Sequence, residues 1–220
     1  MTAPSHTFDR QPEKRLALRI LTTANECFCR HYHRLEVIGR WQIPERGPAI
    51  LVSNHISGLD PLLIQSVSPR IIVWMMAREY YEVRATKWVF RTAESIPVER
   101  SGKDLASTRA AMRALEASRI LGIFPEGKIE ESGELLPFQT GVALMAIKTG
   151  VPVYPAHLEG TMRGKEMLSA LVFPNRARLA LGPAIDFDRA STTREALEHA
   201  TLAIQRSVES LKRKTERSCA

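Results

Sequence analysis

Aromatic residues make up only 6% of this 220-residue chain. Proteins that bind single-stranded nucleic acid stack bases on aromatics set among clustered cations, whereas the arginines here are scattered along the whole length. Nucleic acid is therefore set aside as a partner. The longest wholly apolar run, Ile71 to Ala77, falls well short of the ~20 residues a helix needs to cross a bilayer. Met1 to Gln11 is polar and contains Pro4, His6 and Asp9, without the apolar centre of a secretory signal. Cysteine is scarce and odd in number, three in all, which together with the missing signal suits a reducing compartment and predicts a cytoplasmic protein. No internal repeat is visible. No G-x-S-x-G elbow occurs either, so Ser53 and Ser57 are not read as nucleophiles.

What the chain does contain is 44% hydrophobic and 25% charged residues, the balance of a soluble globular protein. Its length suits one α/β domain with a substantial core. The 31 basic residues outnumber 24 acidic ones, a net charge of +7 that favours an anionic partner, either an acidic membrane face or a phosphorylated substrate.

Pro12 to Arg34 reads as an amphipathic helix, with Leu16, Leu18, Ile20, Leu21, Ala24 and Phe28 set among Lys14, Arg15, Arg19 and Arg30. Such a helix either packs on its own domain or lies in a membrane surface. Seven short apolar runs follow: Leu35–Gly39, Ala49–Ser53, Ile71–Met75, Ile96–Val98, Ile120–Phe124, Val151–Pro155 and Ala177–Leu181. Continuous runs rich in β-branched residues predict strands buried on both faces. Helical stretches alternate with them at Pro61–Val67, Arg84–Arg91, Asp104–Ser118 and Gly141–Thr149, predicting an α/β sheet with helices on its two sides. Thr192 with Glu195 forms a capping-box pattern before a closing amphipathic helix that carries Leu197, Thr201, Ile204, Val208 and Leu211. Its basic end, Lys212-Arg213-Lys214, reads as solvated charge or as a patch facing a membrane. The expected division is a polar tail and amphipathic helix over residues 1–34 and a catalytic domain over 35–220.

Two segments carry chemistry. In Asn54-His55-Ile56-Ser57-Gly58-Leu59-Asp60 a histidine and an aspartate stand five apart, directly after an apolar run. On a continuous helix they would point about 140° apart, so a turn is required if they are to meet. Gly58 makes a turn plausible. Asp60 would then orient one ring nitrogen and leave the other basic toward a hydroxyl. Alternatively, Asp60-Pro61 is only a helix cap with proline in the first turn. The second segment, Phe124-Pro125-Glu126-Gly127-Lys128, ends another apolar run at an edge where α/β proteins collect ligands. Upstream, Arg100 ends a strand before Gly102 and Lys103 at a helix entrance, a credible anion site. Cys27-Phe28-Cys29-Arg30-His31-Tyr32-His33 looks like a metal nest, but Cys27 and His31 share one helix face while Cys29 and His33 share another. No metal is expected.

Taken together, in order, these blocks resemble the glycerophospholipid acyltransferase family, the lysophosphatidic acid and glycerol-3-phosphate acyltransferases. The resemblance covers about Leu35 to Met162: Asn54-His55 with Ser57 and Asp60, Ile96 to Arg100, Phe124 to Gly127, and Val151-Pro152-Val153-Tyr154-Pro155 with Gly160-Thr161. It implies a single-domain glycerol-3-phosphate acyltransferase-type fold, α/β, with a mixed and mostly parallel central sheet. It also implies that His55 takes the proton of the acceptor hydroxyl while Asp60 orients it, and that the oxygen attacks the thioester of acyl-CoA or acyl-carrier protein directly, without a cofactor. Arg100, Glu126 and Gly127 match positions that hold the acceptor's glycerol phosphate, and Arg78 matches a position where many members have lysine. Lys103 and Lys128 are further candidates for holding substrate. The chain departs from the family after Gly127, with Lys128-Ile129-Glu130 where many members have threonine and arginine, and Glu99 stands where aspartate or asparagine is frequent. The expected partners are a lysophospholipid acceptor and the inner face of a membrane, met peripherally. Competing readings are acylation of another lysolipid or glycerol derivative, and a non-catalytic lipid-binding module.

Overall fold

The computed structural model describes residues 12–82, 84, 87–99, 104–165, 167–189 and 192–217. Each of the seven apolar runs forms a strand: β1 (Glu36–Ile38), β2 (Ala49–Ser53), β3 (Ile72–Ala77), β4 (Ile96–Val98), β5 (Ile120–Ile123), β6 (Val153–Glu159) and β7 (Arg178–Leu181). They make one sheet in the order β1-β7-β6-β2-β5-β3-β4. Every neighbouring pair is parallel except β6 and β7. The sheet is therefore mixed and mostly parallel, as expected.

The central strands explain the continuous apolar runs. All five residues of β2 and all four of β5 are buried, and alternate side chains enter two separate cores. Leu51, Ile72, Trp74 and Ile120 pack on one face with Leu63 and Ile64 of α2 (Asp60–Gln65). Ile50, Val52, Leu121 and Ile123 pack on the other with residues of α5 (Leu105–Glu116), α6 (Gly141–Thr149) and α8 (Arg194–Arg217). Strand β1 lies at the sheet edge and is largely exposed, so burial on both faces fails there.

Helix boundaries follow local chemistry. Asp104 caps α5, its Oδ1 accepting the amide of Ser107 at 2.9 Å. Helix α6 stops at Gly150, whose φ of 64° suits a residue without Cβ. The Arg84–Arg91 helix is displaced into two short pieces, α3 (Arg78–Tyr81) and α4 (Lys87–Thr92), and the sequence reading missed α7 (Met167–Val172). At α8 the capping hydroxyl is Thr193, which accepts the amide of Ala196, rather than Thr192. A cap is worth about 1 kcal/mol. Burying Ile204, Val208 and Leu211 is worth about 1.5–3 kcal/mol each, so packing of the apolar face decides the helix register.

The N-terminal helix is shorter than predicted. Helix α1 spans Pro12–Cys27 and passes into a π-helical turn, Phe28–Tyr32, whose end is marked by the amide of His33 donating to Phe28 O. Asn25 Nδ2 and Cys29 Sγ both reach Leu62 O, tying α1 and its turn to α2. Leu16 and Ile20 remain about 60% exposed. The apolar stripe of α1 is thus only partly covered by its own domain.

Candidate active site

Five parallel strands point their carboxyl ends at one edge, and the loops leaving β2, β3, β4, β5 and β6 gather there. Between β2 and α2 the chain makes the turn that the five-residue spacing requires. Asp60 Oδ2 lies 3.0 Å from Nδ1 of His55 and also accepts the amides of Ile56 at 2.7 Å and Ser57 at 2.9 Å. Three donors converge on one fully buried oxygen. Asp60 therefore does not cap α2 from the N-cap position, which Leu59 occupies. It opens the helix with its carboxylate turned back into the loop. Because a carboxylate accepts, Nδ1 of His55 carries the proton and Nε2 keeps the lone pair.

The imidazole is fixed in its plane as well. It stacks on Phe124 at 4.1 Å between ring centroids, and Phe124 stacks on Trp74 at 4.8 Å. Gly122, beside Trp74 in the sheet, makes room: a Cβ there would lie 2.4 Å from Trp74 Cε3. The backbone of His55 is held at both ends, its amide donating to Glu126 Oε1 at 3.0 Å and its carbonyl accepting from Glu130 N at 2.7 Å. Asn54 anchors the loop to β6, its amide group exchanging two hydrogen bonds with the backbone of Leu158.

His55 opens onto a cavity of about 470 Å³, within the range of small-molecule sites. Its walls are mainly apolar, with Leu62, Trp74, Met75, Met76, Phe90 and Met145 among them, while Glu99, Asp104, Gln139 and Lys128 add polar groups. Lys128 is the one lysine or arginine among the described residues that line it.

The remaining candidates separate. Gly127 lines the cavity with φ at 71°, and a Cβ there would meet Gln139 Nε2 at 2.3 Å, so both backbone and space call for glycine. Glu126, grouped by resemblance with the acceptor-holding residues, points inward instead. It is 5% exposed, and its second carboxylate oxygen accepts the amide of Leu136 at 3.3 Å. Burial pushes its carboxyl up to about 7, against the pull of the amides of His55 and Leu136. Arg78 is exposed and engaged by Glu99, Nε to Oε1 at 2.9 Å. Arg100 and Lys103 lie outside the described residues. The Cys27–His33 string divides as its spacing requires: Cys29 and His33 are buried while Cys27 and His31 face outward. Among the described residues no three potential ligands gather around a metal site.

The sequence reading missed the amide of Glu130 as a support of His55, and the Phe124–Trp74 stack. Phe124 stood inside a quoted motif, but no sequence signal gives its ring contact.

The family model described as acyltransferase matches residues 34–159, which span β1 through β6 and every element that carries the site. The chain belongs to the acyltransferase family. Within it, the chain is 27% identical over 162 residues to the 1-acyl-sn-glycerol-3-phosphate acyltransferase of Helicobacter pylori, covering 72% of this chain and 67% of that protein. It is 28% identical over 130 residues to the protein of the same description from Borreliella burgdorferi, covering 58% of this chain and 52% of that one. The Limnanthes douglasii protein so described is 31% identical over 116 residues, 51% of this chain and 41% of its own length. The chain thus spans about half the length of several of these relatives. The crystal structure of the 1-acyl-sn-glycerophosphate acyltransferase from Thermotoga maritima superposes with a TM-score of 0.66 at 21% identity, covering 92% of this chain and 85% of that one. That likeness establishes the fold: an acyltransferase-type α/β domain.

Proposed function

We propose that this acyltransferase-family chain moves a fatty acyl group from a thioester, acyl-CoA or acyl-carrier protein, to the free hydroxyl of lysophosphatidic acid, giving phosphatidic acid. The observation that carries the reading is the contact of Asp60 with His55, which lines a largely apolar cavity, in a chain whose relatives are described as 1-acyl-sn-glycerol-3-phosphate acyltransferases.

In this mechanism Nε2 of His55 takes the hydroxyl proton as the acceptor oxygen attacks the thioester carbonyl carbon. The carbon–sulfur bond breaks, and the imidazolium returns the proton to the departing thiolate. Asp60 stabilises the imidazolium and keeps its ring in the productive orientation. The apolar walls suit an acyl chain. Lys128 at the cavity surface would attract the acceptor phosphate, a role the family resemblance also gives to Arg100 and Lys103.

The Lys128-Ile129-Glu130 departure favours as a second reading the acylation of another lysolipid or glycerol derivative. Peripheral docking on the inner face of a membrane is part of the same proposal, and Leu16 and Ile20 of α1, exposed beside the exposed Arg19, support contact with a membrane surface. No described helix is long and apolar enough to cross a bilayer.

The deciding experiment incubates purified protein with vesicles, acyl-CoA or acyl-carrier protein, and a panel of lysolipids, and measures thiol release alongside acylated lipid. Thiol release matched by phosphatidic acid supports the reading; no transfer to any lysolipid rejects it.

A further inference from the structure

Besides its own bonds to Asp60, the loop that carries His55 is held from outside by two segments far apart in sequence. On one side, Glu130 N donates to His55 O at 2.7 Å. On the other, Gly164 N donates to Ile56 O at 3.0 Å, and Gly58 N donates to Lys165 O at 2.9 Å. Ser57 and Lys165 form an isolated parallel bridge there.

Those two segments are joined to each other. Arg163 Nη1 lies 2.8 Å from Glu130 Oε2, and the Glu130 side chain is only 3% exposed. The other carboxylate oxygen of Glu130 accepts the amide of Gly133 at 2.7 Å, so both oxygens are engaged. Burial alone would raise the Glu130 carboxyl, but bonds from Ser132 and Gly133 and the charge of Arg163 hold it below the usual range on balance. Glu130 thus grips the loop with its backbone and Arg163 with its side chain, one residue before Gly164.

We propose that Glu130 and Arg163 are positioning residues for the transfer reaction, their ion pair closing a ring of hydrogen bonds that aims His55 at the acceptor hydroxyl. This rests on the acyl-transfer reading above. A general base must keep its geometry through the reaction, and a displacement near 1 Å is enough to lower turnover. Neither side chain needs to touch substrate to have that effect.

The test uses the full chain with Glu130→Gln, Arg163→Met, the double variant and Arg163→Lys. Each is assayed for kcat and for the KM of both acyl donor and lysolipid, and each is checked by thermal melting. Amide hydrogen exchange is followed at Gly58, Glu130 and Gly164. Each single variant should lower kcat roughly ten- to a hundred-fold with both KM values within about two-fold. The double variant should fall no further than the worse single, because both remove one link. Arg163→Lys, which keeps the charge, should recover most of the loss. The three amides should exchange faster in Arg163→Met than in the wild type. Folded single variants with wild-type kcat and unchanged exchange overturn the proposal, as does a rise confined to the lysolipid KM, which would make these residues acceptor-binding instead. If the wild type transfers no acyl group to any lysolipid, the functional reading fails, and amide exchange alone then decides whether the strut holds the loop.

Discussion

Oδ2 of Asp60 sits at the meeting point of three donors, the Nδ1–H of His55 and the amides of Ile56 and Ser57, while its Oδ1 is buried with no hydrogen-bond partner among the described residues. The carboxylate thus shapes the turn and orients the ring through one atom. Asp60→Asn can present its carbonyl oxygen to the same donors, but it loses the charge that stabilises an imidazolium and buries an NH₂ group in place of Oδ1. We expect Asp60→Asn to lower kcat by on the order of 10²–10⁴. His55→Ala should lose at least as much while remaining folded, with a melting temperature lowered by the lost stacking and the lost donor to Asp60. Steady-state assays paired with thermal melts check both, and a folded His55→Ala variant with wild-type turnover removes the mechanism.

Glu126 should impose a pH dependence on stability. In the unfolded chain its carboxyl ionises near the ordinary value of 4.5, whereas burial delays ionisation in the folded protein to about 7. The folded state therefore holds the proton more tightly. Its advantage is complete below pH ~4.5, declines as pH rises toward 7, and is gone above that. Relative to Glu126→Gln, the wild type should lose stability on the order of 3 kcal/mol across this window, with a constant difference at higher pH. Urea melts of both proteins between pH 4 and 8 measure it, and parallel curves would show that Glu126 ionises normally.

The Arg78–Glu99 pair should restrain acceptor binding. Glu99 lines the cavity and holds the guanidinium of Arg78, adding negative charge where a phosphate would approach. Glu99→Gln should lower the KM for lysophosphatidic acid about two- to five-fold and leave the acyl-donor KM unchanged. Lys128→Ala and Arg100→Ala should raise the same constant. An acceptor KM indifferent to all three substitutions would place the phosphate elsewhere.

Gly122 should matter at a distance. A methyl group there would meet Trp74 Cε3 at 2.4 Å and Ile72 Cγ2 at 2.7 Å, and Trp74 carries Phe124, on which His55 stacks. Gly122→Ala should cost about 1–3 kcal/mol of stability through overpacking. It should also lower kcat although Gly122 does not line the cavity. Thermal melts and turnover together test this, and a destabilised variant with full turnover would uncouple the ring stack from catalysis.

Much of the fold was legible because parallel strands buried on both faces leave unbroken apolar runs, and all seven runs became strands. The meeting of His55 with Asp60 was legible as a conditional: five residues apart, they touch only if the chain turns, and it turns. The direction of Glu126 was not, since a glutamate in a loop reads the same whether it faces substrate or the backbone of His55. Nor was the Glu130–Arg163 pair, whose members stand 33 residues apart and are brought together only by the return of β6. The short helices fared worst. Over four to six residues there are too few turns for an apolar stripe to repeat, so α3 and α7 left little trace.

The common direction of β2, β3, β4, β5 and β6 makes the site modular. His55 arrives on one loop, Phe124, Gly127 and Lys128 on another, and Arg78 and Glu99 on two more. Each is rooted in its own strand. Under the proposed function, a change of acceptor would be built by exchanging the segment after β4, leaving the turn between β2 and α2 and its contact with Glu130 intact. On that reading, most of the specificity would sit on a different piece of chain from the histidine turn.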